Sequence, residues 1–484
     1  MKNCFLDRLV GSLIFCLIWV TIPVQAQFPL SAGAGGYSGL YGAFVNPAQL
    51  SYNWMPWGIH LPGAGFTLQN NGLRADRFSG LAALAGRSYS FDLDNAISRS
   101  NAIKPDVLIR NLQLEQTSFQ SQVWLQGIGG YLHWGYHTFG LGIGNRSFNE
   151  LSNVSANMFK HFTEGIRFDS LLDVPVTSNG LLLQASTFTE IQLAWSWRFL
   201  NKVNRSASIG VVLKPIIGYR GFHGQFDELT YTVTNTDTFR LNRFAGNYAN
   251  SGASPYFSGL RGVGVDLGFV YVSVNPDGPD ELRRQRTRIS CTPFGKKFNR
   301  NIKPIPNHLW RAGVSLLDFG SFRSNATRYI GTAVGLNTSV LDPAIVSGQG
   351  AEPFFLNLID NGGRLVNDSS GYTVGLATAV GVQADFWIID RFYLHASAVQ
   401  RLPLFGDYQL TRLNQWMVAP RYESPWLEFG LPLSLYEYRH VQLGIWARLG
   451  PLTFGTDRLG ELLGFRRLMG ADAYVSVNLL PFWK

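Results

Sequence analysis

An alternation of apolar and polar residues returns along this sequence and constrains its fold more than any other feature. In FTEIQLAWSWRFL, residues 188–200, every second position from Ile191 to Phe199 is apolar, and Ser196 and Arg198 are among the positions between them. The pattern recurs in GVGVDLGFVY and VQLGIWARLG. A period of two places successive side chains on opposite faces of a β-strand. Repeated strands with one apolar and one polar face are typical of barrels that cross a membrane.

The composition supports this interpretation. Charged residues make up 15% of the 484 residues and aromatic residues 14%, whereas about 25% of a soluble protein is charged. After residue 26 the sequence has no uninterrupted apolar run of the roughly 18 residues that a membrane helix needs. We therefore predict an all-β fold, a transmembrane antiparallel β-barrel.

The lengths of the connections indicate how the strands are arranged. Short connections are expected at 135–138, 201–206, 389–390 and 436–439, and long ones at about 150–185, 223–256, 319–371, 403–425 and 450–470. Outer-membrane barrels have short periplasmic turns and long external loops. We therefore place all of these short turns at the periplasmic end. The predicted barrel has about 14 strands, within a range of about 12 to 16; the first lies at about 57–68 and the last at 471–483.

Aromatic residues cluster beside the expected short turns. Amphipathic rings favour the level of the lipid headgroups, so this clustering predicts an interfacial girdle, with ordinary core aromatics as the alternative. The residues are Trp134, Phe139, Trp197, Phe199, Phe386, Phe392, Tyr436, Tyr438, Phe482 and Trp483.

The first 26 residues resemble a secretory signal peptide. Lys2 and Arg8 precede an apolar stretch that is too short for a spanning helix, and cleavage is expected near Ala26. A retained membrane anchor is the alternative. Cleavage would leave Cys291 as the single cysteine, which excludes an intramolecular disulfide or a cysteine metal cluster in the mature chain. The expected localisation is the outer membrane of a Gram-negative cell.

The mature chain is predicted to begin with a separate segment at 27–56, followed by the barrel at 57–484. The segment contains GAGGYSGLYGAFVNPAQL, which is rich in glycine and lacks alternation. A phosphate-binding loop would require a preceding strand, and here a signal peptide precedes it. We instead predict a plug in the lumen, held against the wall by Tyr37, Tyr41 and Phe44, with a turn at Asn46 and Pro47.

Charged residues on the polar strand faces are expected to point into the barrel. They either pair with one another in a filled lumen or form part of a substrate path, and the sequence leaves both alternatives open. Glycines on β-strands thin the wall beside them, so Gly140, Gly142 and Gly144 leave room for a plug or a ligand. The candidate lumen-facing residues are Glu190, Arg198, Lys214, Arg220, Asp266, Asp385 and Arg448.

The sequence contains no motif for catalysis or for a metal. His133 and His137 have a spacing that would join two ligands only on a helix, and a turn is expected between them. The G-x-S-x-G nucleophile motif is absent. We therefore expect neither an enzyme nor a cofactor or metal site; a hydrolase with a site assembled from distant strands is the least favoured class.

The tract at 283–303 holds eight Lys or Arg residues and no acidic residue. The strand count places it at the periplasmic end, where it could dock an acidic periplasmic or outer-membrane protein or contact lipid phosphates. A solvated loop is the alternative. This location gives no reason to expect a nucleic-acid partner.

Several motifs together resemble a known family. VNPAQL, LWRAGVSLLDFGSF, LGIWARLGPLTFGTD and GADAYVSVNLL follow one another as in an uncharacterised Bacteroidota family of outer-membrane β-barrels, classed as a domain of unknown function. That family is similar to long-chain fatty-acid transporter-like barrels and to type IX secretion barrel proteins. The resemblance implies a fourteen-stranded barrel with an N-terminal hatch in its lumen. Only Asn46, Pro47 and Ala48 match the hatch pattern, and no established activity comes with it.

The resemblance favours a barrel that binds or passes a hydrophobic small molecule. The alternative is an accessory or interaction protein of outer-membrane secretion, surface attachment or assembly machinery. The expected partners are outer-membrane lipid, a hydrophobic ligand and, through 283–303, a protein.

Overall fold

The computed structural model describes most of the chain. The predicted signal peptide 1–26, the basic tract 283–303 and the aromatic residues Phe482 and Trp483 lie outside the described residues. The described ranges are 30–75, 108–110, 115–164, 171–202, 204–235, 238–251, 259–274, 308–339, 364–368, 371–405, 408–463 and 469–481.

Fourteen antiparallel strands form a closed barrel, which confirms the predicted fold class and strand number. Each strand pairs with its neighbours in the chain, and β14 pairs with β1 from Ile59 opposite Leu479 to Gln69 opposite Gly470. Some strands consist of two or three consecutive segments. The strands are β1 (Trp57–Asn70), β2 (Gln116–Trp134), β3 (His137–Ser155), β4 (Pro175–Asn201), β5 (Arg205–Asn235), β6 (Thr238–Asn250 and Gly262–Val274), β7 (His308–Ser324 and Arg328–Ser339), β8 (Arg364–Asp368, Tyr372–Gly375 and Ala379–Ile389), β9 (Phe392–Arg401), β10 (Gln415–Glu423), β11 (Leu427–Gly430 and Leu433–Tyr436), β12 (His440–Leu443 and Ile445–Leu449), β13 (Leu452–Thr456) and β14 (Gly470–Leu479).

The remaining elements are short. Leu73–Ala75 and Leu108–Arg110 form a separate two-stranded sheet. The helices are α1 (Leu30–Gly33), α2 (Leu40–Ala43), a 3₁₀-helix (Pro47–Tyr52), α3 (Ala156–Glu164) and α4 (Leu459–Leu462). None of the helices in the described ranges has the length and apolar character to cross a membrane.

The period-two pattern sorts side chains as the sequence predicts. On β4, Leu193 is 43% and Trp197 38% exposed, whereas Glu190 and Ser196 are buried. The apolar side chains face outward because the surrounding lipid is apolar. Polar side chains face inward, where they hydrogen-bond to one another and to the chain inside the barrel.

The turn at Gly135 joins β2 to β3 at one end of the barrel. The predicted connections require correction at the opposite end. The region 223–256 contains the hairpin between β5 and β6, and strands β10 and β13 lie inside the loops expected at 403–425 and 450–470. The turn at 436–439 lies at the opposite end from the turn at 135–138, because β10 adds one reversal of the chain. The hairpin between β5 and β6 was missed because a strand beyond the lipid needs backbone pairing but no apolar face. Strands β10 and β13 do belong to the wall, with Val418 and Phe454 exposed on its outer surface, but they are only nine and five residues long.

The aromatic girdle is present at the end of the barrel with the Gly135 turn, which we call the short-turn end. Trp134, Phe139, Phe199 and Phe392 are between 47% and 51% exposed on the outer surface. Tyr436 differs: its side chain is 4% exposed and its hydroxyl donates to Asp457 Oδ2 at 2.8 Å. Tyr436 belongs to the lumen at the other end of the barrel.

Strands β6 and β7 flank the basic tract. Val274 pairs with His308, so both strands reach the end of the barrel that carries the Gly135 turn. The two strands that flank the tract therefore end where the sequence analysis places the periplasmic side of the barrel. A partner for the tract remains a prediction.

A β-bulge changes the position of Arg220. Thr189 pairs with Gly218 but its neighbour Glu190 pairs with Ile216, so Ile217 is an extra residue in β5. The bulge moves Tyr219, two residues later, to the inner face, where its hydroxyl lies 3.0 Å from that of Tyr372. Arg220 therefore lies on the outer face and does not line the lumen as expected.

Candidate functional site

Residues 30–56 lie inside the barrel, enclosed by its wall. The Gly36 amide donates to Glu423 Oε1 at 3.2 Å, and the Val45 carbonyl accepts from Ser315 at 2.9 Å. Hydrogen bonds of this segment reach β4, β7, β8, β10 and β14, at Ser196, Ser315, Gln383, Glu423 and Tyr474. Contacts on so many strands fix the segment in the centre of the lumen.

The 3₁₀-helix packs directly on the wall because the wall has glycines there. Asn46 caps the helix by accepting from the Ala48 amide at 3.0 Å, and its Nδ2 donates to the Phe269 and Val314 carbonyls at 3.2 Å. A Cβ on Gly210 would lie 2.4 Å from the carbonyl carbon of Pro47. Only glycine permits this approach of two backbones.

The aromatic residues of the segment pack on different parts of the wall. The Tyr41 ring lies 5.0 Å from His60 and 5.7 Å from Trp124, and Phe44 packs beside it at 6.0 Å. Tyr37 lies on the other side, with the Arg448 guanidinium 4.5 Å above its ring. Burial raises the pKa of Tyr41, so this hydroxyl stays neutral in the enclosed environment.

The glycines of β3 accommodate the same segment. A Cβ on Gly140 or on Gly142 would lie 2.9 Å from the Leu40 side chain. Leu40 is 1% exposed and belongs to the same apolar cluster as Tyr37, Leu50 and Tyr131. The room that the sequence leaves at these glycines is therefore occupied by the chain's own N-terminal residues.

Asp318 is the centre of a buried ion network across the lumen. Its carboxylate accepts two hydrogen bonds from Arg146, at 2.7 and 2.8 Å, and one each from Lys214 and Arg412 at 2.8 Å. Asp266 lies 2.5 Å from Lys214 and accepts from the Asp318 amide at 2.6 Å. Three predicted lumen residues, Glu190, Lys214 and Asp266, thus meet here, since Glu190 lies 3.5 Å from Arg146.

Asp385 forms a second buried network at the short-turn end. It accepts from His308 at 2.6 Å, from Arg311 at 3.2 Å and from Arg421 at 2.6 Å. Arg421 also pairs with Glu423, whose Oε1 accepts from the Trp54 indole of the N-terminal segment. This network connects the wall directly to residues 30–56.

The other two predicted residues are also buried in the lumen. Arg448 donates to Glu428 Oε2 at 2.5 Å and to the Ser424 carbonyl at 2.6 Å. The Arg198 guanidinium lies 5.6 Å from the ring centre of Tyr136. Six of the seven predicted side chains therefore line the lumen, where charges meet countercharges or aromatic rings.

Sequence reasoning missed the residues that complete these networks. Asp318 sits beside a register shift of β7 and has a φ of 53°, so strand alternation does not predict its direction. Arg412 comes from the loop before β10, which folds into the lumen. Among the described residues, no group of three or more His, Cys, Asp and Glu side chains is arranged to hold a metal ion.

A cleft of about 570 Å³ opens in the wall between β1, β2 and β3. In β1, the pairing with β14 shifts by one residue between Leu61 and Ala64. In β2, the pairing with β3 shifts between Gln126 and Gly129 at the same level. Two adjacent bulges, one with a proline that has no amide hydrogen, interrupt the ladder there.

The cleft faces outward and is mainly apolar. Leu125 and Val475 at its edge are 38% and 46% exposed, and Ala64 pairs with both of them on the outer face. A Cβ on Gly63 would lie 2.5 Å from the Tyr41 hydroxyl, so the N-terminal segment lies directly behind the cleft. The lining residues are Pro62, Gly63, Ala64, Leu125, Gln126, Gly127, Ile143, Gly144, Asn145, Thr189 and Val475.

Only part of this cleft could be anticipated from the sequence. Pro62 and Gly63 interrupt the pattern of the first strand, and Asn145 follows the apolar outward positions Phe139, Leu141 and Ile143. Proline inside a strand indicates a bulge or an edge. Because the cleft requires two bulges at the same level of neighbouring strands, neither residue predicts it alone.

Comparisons with solved structures found barrels of low similarity. The Ralstonia pickettii toluene transporter TbuX is 10% identical with a TM-score of 0.40, covering 95% of this chain and 100% of that chain. The P. putida toluene transporter TodX is 9% identical with a TM-score of 0.39, covering 94% and 97%. The translocator domain of the autotransporter NalP from Neisseria meningitidis is 10% identical with a TM-score of 0.26, covering 87% and 88%.

A comparison with curated proteins returned no match. A family model matches residues 47–457, which run from the 3₁₀-helix of the N-terminal segment to the loop after β13. The match includes the lumen networks around Asp318 and Asp385. The chain therefore belongs to the family described as a family of unknown function (DUF5723).

Proposed function

We propose that this protein is an outer-membrane β-barrel that binds a hydrophobic small molecule in the wall cleft. The observation that carries the proposal is the cleft itself: about 570 Å³, lined mainly by apolar side chains and open on the outer face of the barrel. Ligand pockets are typically of about 300 to 1,000 Å³ and mostly apolar, with a few polar groups. A molecule dissolved in the membrane would reach this cleft without crossing water.

The filled lumen supports binding rather than free diffusion as the basic activity. Residues 30–56 and the Asp318 network occupy the interior. We propose that residues 30–56 act as a plug and that Tyr37, Tyr41, Phe44, Asn46 and Pro47 hold it. The buried charges then stabilise the filled lumen instead of forming a substrate path.

Ala64→Trp should abolish ligand binding, because the indole would fill the cleft from the outer face without disturbing the strand backbone. The wild-type protein and the variant are purified from native membranes, and the bound lipids are identified by mass spectrometry. Ala447→Trp on β12 is the matched control, since Ala447 also faces outward and lies opposite Phe454, away from the cleft. Equal amounts of the same bound molecule in wild type and Ala64→Trp would refute the proposal.

The proposed location has its own test. A closed barrel resists detergent, so the unheated protein should migrate faster in gel electrophoresis than the heated protein, and it should fractionate with the outer membrane. Recovery from the soluble periplasm would contradict the proposed location.

A further inference from the structure

Two polar side chains stand on the lipid-facing side of the cleft. Asn145 pairs with Leu125 in the strand ladder, and Thr189 pairs with Asn145, so both residues share the outer face with Leu125. Asn145 Nδ2 donates to Thr189 Oγ1 at 3.1 Å. The apolar side chains around the cleft offer these two groups no further hydrogen-bond partner, so a ligand in the cleft could supply one.

The pair retains the capacity to bind a polar group. The Asn145 amide has a second hydrogen to donate and a carbonyl oxygen that accepts, and the Thr189 hydroxyl has its own hydrogen to donate. Both residues line the cleft with Leu125, Ile143 and Val475. An occupant with an apolar body and one hydrogen-bonding group matches this arrangement.

The lining carries no charge. The residues around the cleft include the polar side chains Gln126, Asn145 and Thr189 but no acidic or basic one. Arg146 and Glu190, the chain neighbours of this pair, have their charged ends in the lumen network. A charged group in the cleft would be removed from water without a countercharge, which costs far more than burying a neutral group with hydrogen bonds.

The height of the pair in the wall fits such a molecule. Asn145 lies eight residues above His137 at the short-turn end, which corresponds to about 20 Å for a strand tilted by roughly 40°. This is close to the far boundary of an apolar band of about 25 Å. A polar group at Asn145 would therefore lie near the interface while the apolar body fills the cleft below.

We infer that the cleft recognises amphiphiles with an uncharged hydrogen-bonding group, such as a fatty alcohol, through Asn145 and Thr189. This inference rests on the proposed function. The cleft therefore prefers a neutral amphiphile both to an alkane, which lacks the hydrogen-bonding group, and to a fatty-acid anion, which lacks a countercharge.

The test compares 1-dodecanol, dodecane and dodecanoate at about pH 9, where a carboxyl group is ionised. The full-length protein is placed in lipid nanodiscs, and the binding of each probe is measured by equilibrium dialysis. Dodecanol should bind most tightly. Asn145→Leu and Thr189→Val should each weaken dodecanol binding by about fivefold, since each removes one net hydrogen bond, and should leave dodecane binding unchanged or stronger.

Asn149→Leu is the matched control. Asn149 lies four residues further along the same face of β3 and donates to the Ser121 hydroxyl at 3.1 Å, but it does not line the cleft. It should leave all three affinities unchanged. If Asn145→Leu and Asn149→Leu had the same effect, the two polar pairs would have a structural role only and the inference would fail.

Ala64→Trp separates this inference from the proposed function. Loss of dodecanol and dodecane binding in Ala64→Trp, together with an unchanged preference in Asn145→Leu, would overturn the inference and leave the binding site standing. Tighter binding of dodecanoate than of dodecanol would also overturn it. If dodecanol and dodecane still bound to the Ala64→Trp variant, the proposed function itself would be refuted.

Discussion

Deletion of residues 27–56 should expose the inner wall at the short-turn end to water. Ser196 is 0% exposed, and its hydroxyl lies 2.6 Å from that of Ser51 and 3.2 Å from the Ala48 carbonyl. A cysteine at this position should therefore be unreactive in the full chain. In the deletion variant, Ser196→Cys should react with a membrane-impermeant maleimide at least about ten times faster, because the burying segment is gone.

The experiment needs a chain without other reactive thiols and a control for folding. Cys291→Ser removes the cysteine that would remain after signal cleavage. Thr177→Cys, on the exposed far part of β4, should be labelled equally with and without the segment. Equal labelling of Ser196→Cys in both chains would show that residues 30–56 do not cover the wall in solution.

The same deletion tests the proposed plug. If the segment closes the barrel, small-solute conductance in planar bilayers should rise by roughly tenfold, since barrels of about 16 strands with an open lumen conduct freely. Fast labelling with unchanged conductance would contradict a plug role. In that case the closure would lie in the external half, where Arg412 and Leu410 of the loop before β10 fold inward.

Asp318→Asn should destabilise the barrel by about 3 to 5 kcal/mol, because it leaves buried cations without their countercharge. The Asp318 carboxylate forms ion pairs with Arg146, Lys214 and Arg412 at the same time. Asparagine has the same shape and tolerates the positive φ of this position, so the backbone itself should remain unstrained. The loss is measured by urea unfolding of the protein in lipid, followed by tryptophan fluorescence.

Glu228→Gln is the control for the Asp318 experiment. Glu228 pairs with Arg243 at 3.1 Å, and their side chains are 42% and 66% exposed. An exposed ion pair contributes at most about 1 kcal/mol, so the free energy of unfolding should change little. Equal losses for the two substitutions would mean that burial of the Asp318 network is not what makes it stabilising.

The barrel could be predicted because the alternation of outward and inward side chains along a strand is a local pattern. One residue in two faces the lipid on β4 and β5, so Leu193 and Ile209 could be assigned outward and Glu190 and Lys214 inward from sequence alone. The rule holds until a bulge adds a residue, as Ile217 does before Arg220. The resemblance to a family of unknown function was also readable, and it is confirmed in that form.

The hairpin between β5 and β6 shows the limit of the same rule. Beyond the lipid, a strand is specified by pairing of its backbone with a neighbour rather than by an apolar face. Residues 223–256 therefore looked like a long loop. Their pairing depends on the partner strand and on the register set by the bulges.

The sequence by itself determined the barrel fold and the direction of most wall residues, because each follows from patterns within a few neighbouring positions. Only the tertiary structure decided which groups meet. Asp318 pairs with Arg146 across 172 residues and with Lys214 across 104. The wall cleft likewise arises where the bulges of β1 and β2 lie at the same level. Strand register and barrel closure set both arrangements, and neither is encoded in a local stretch of the chain.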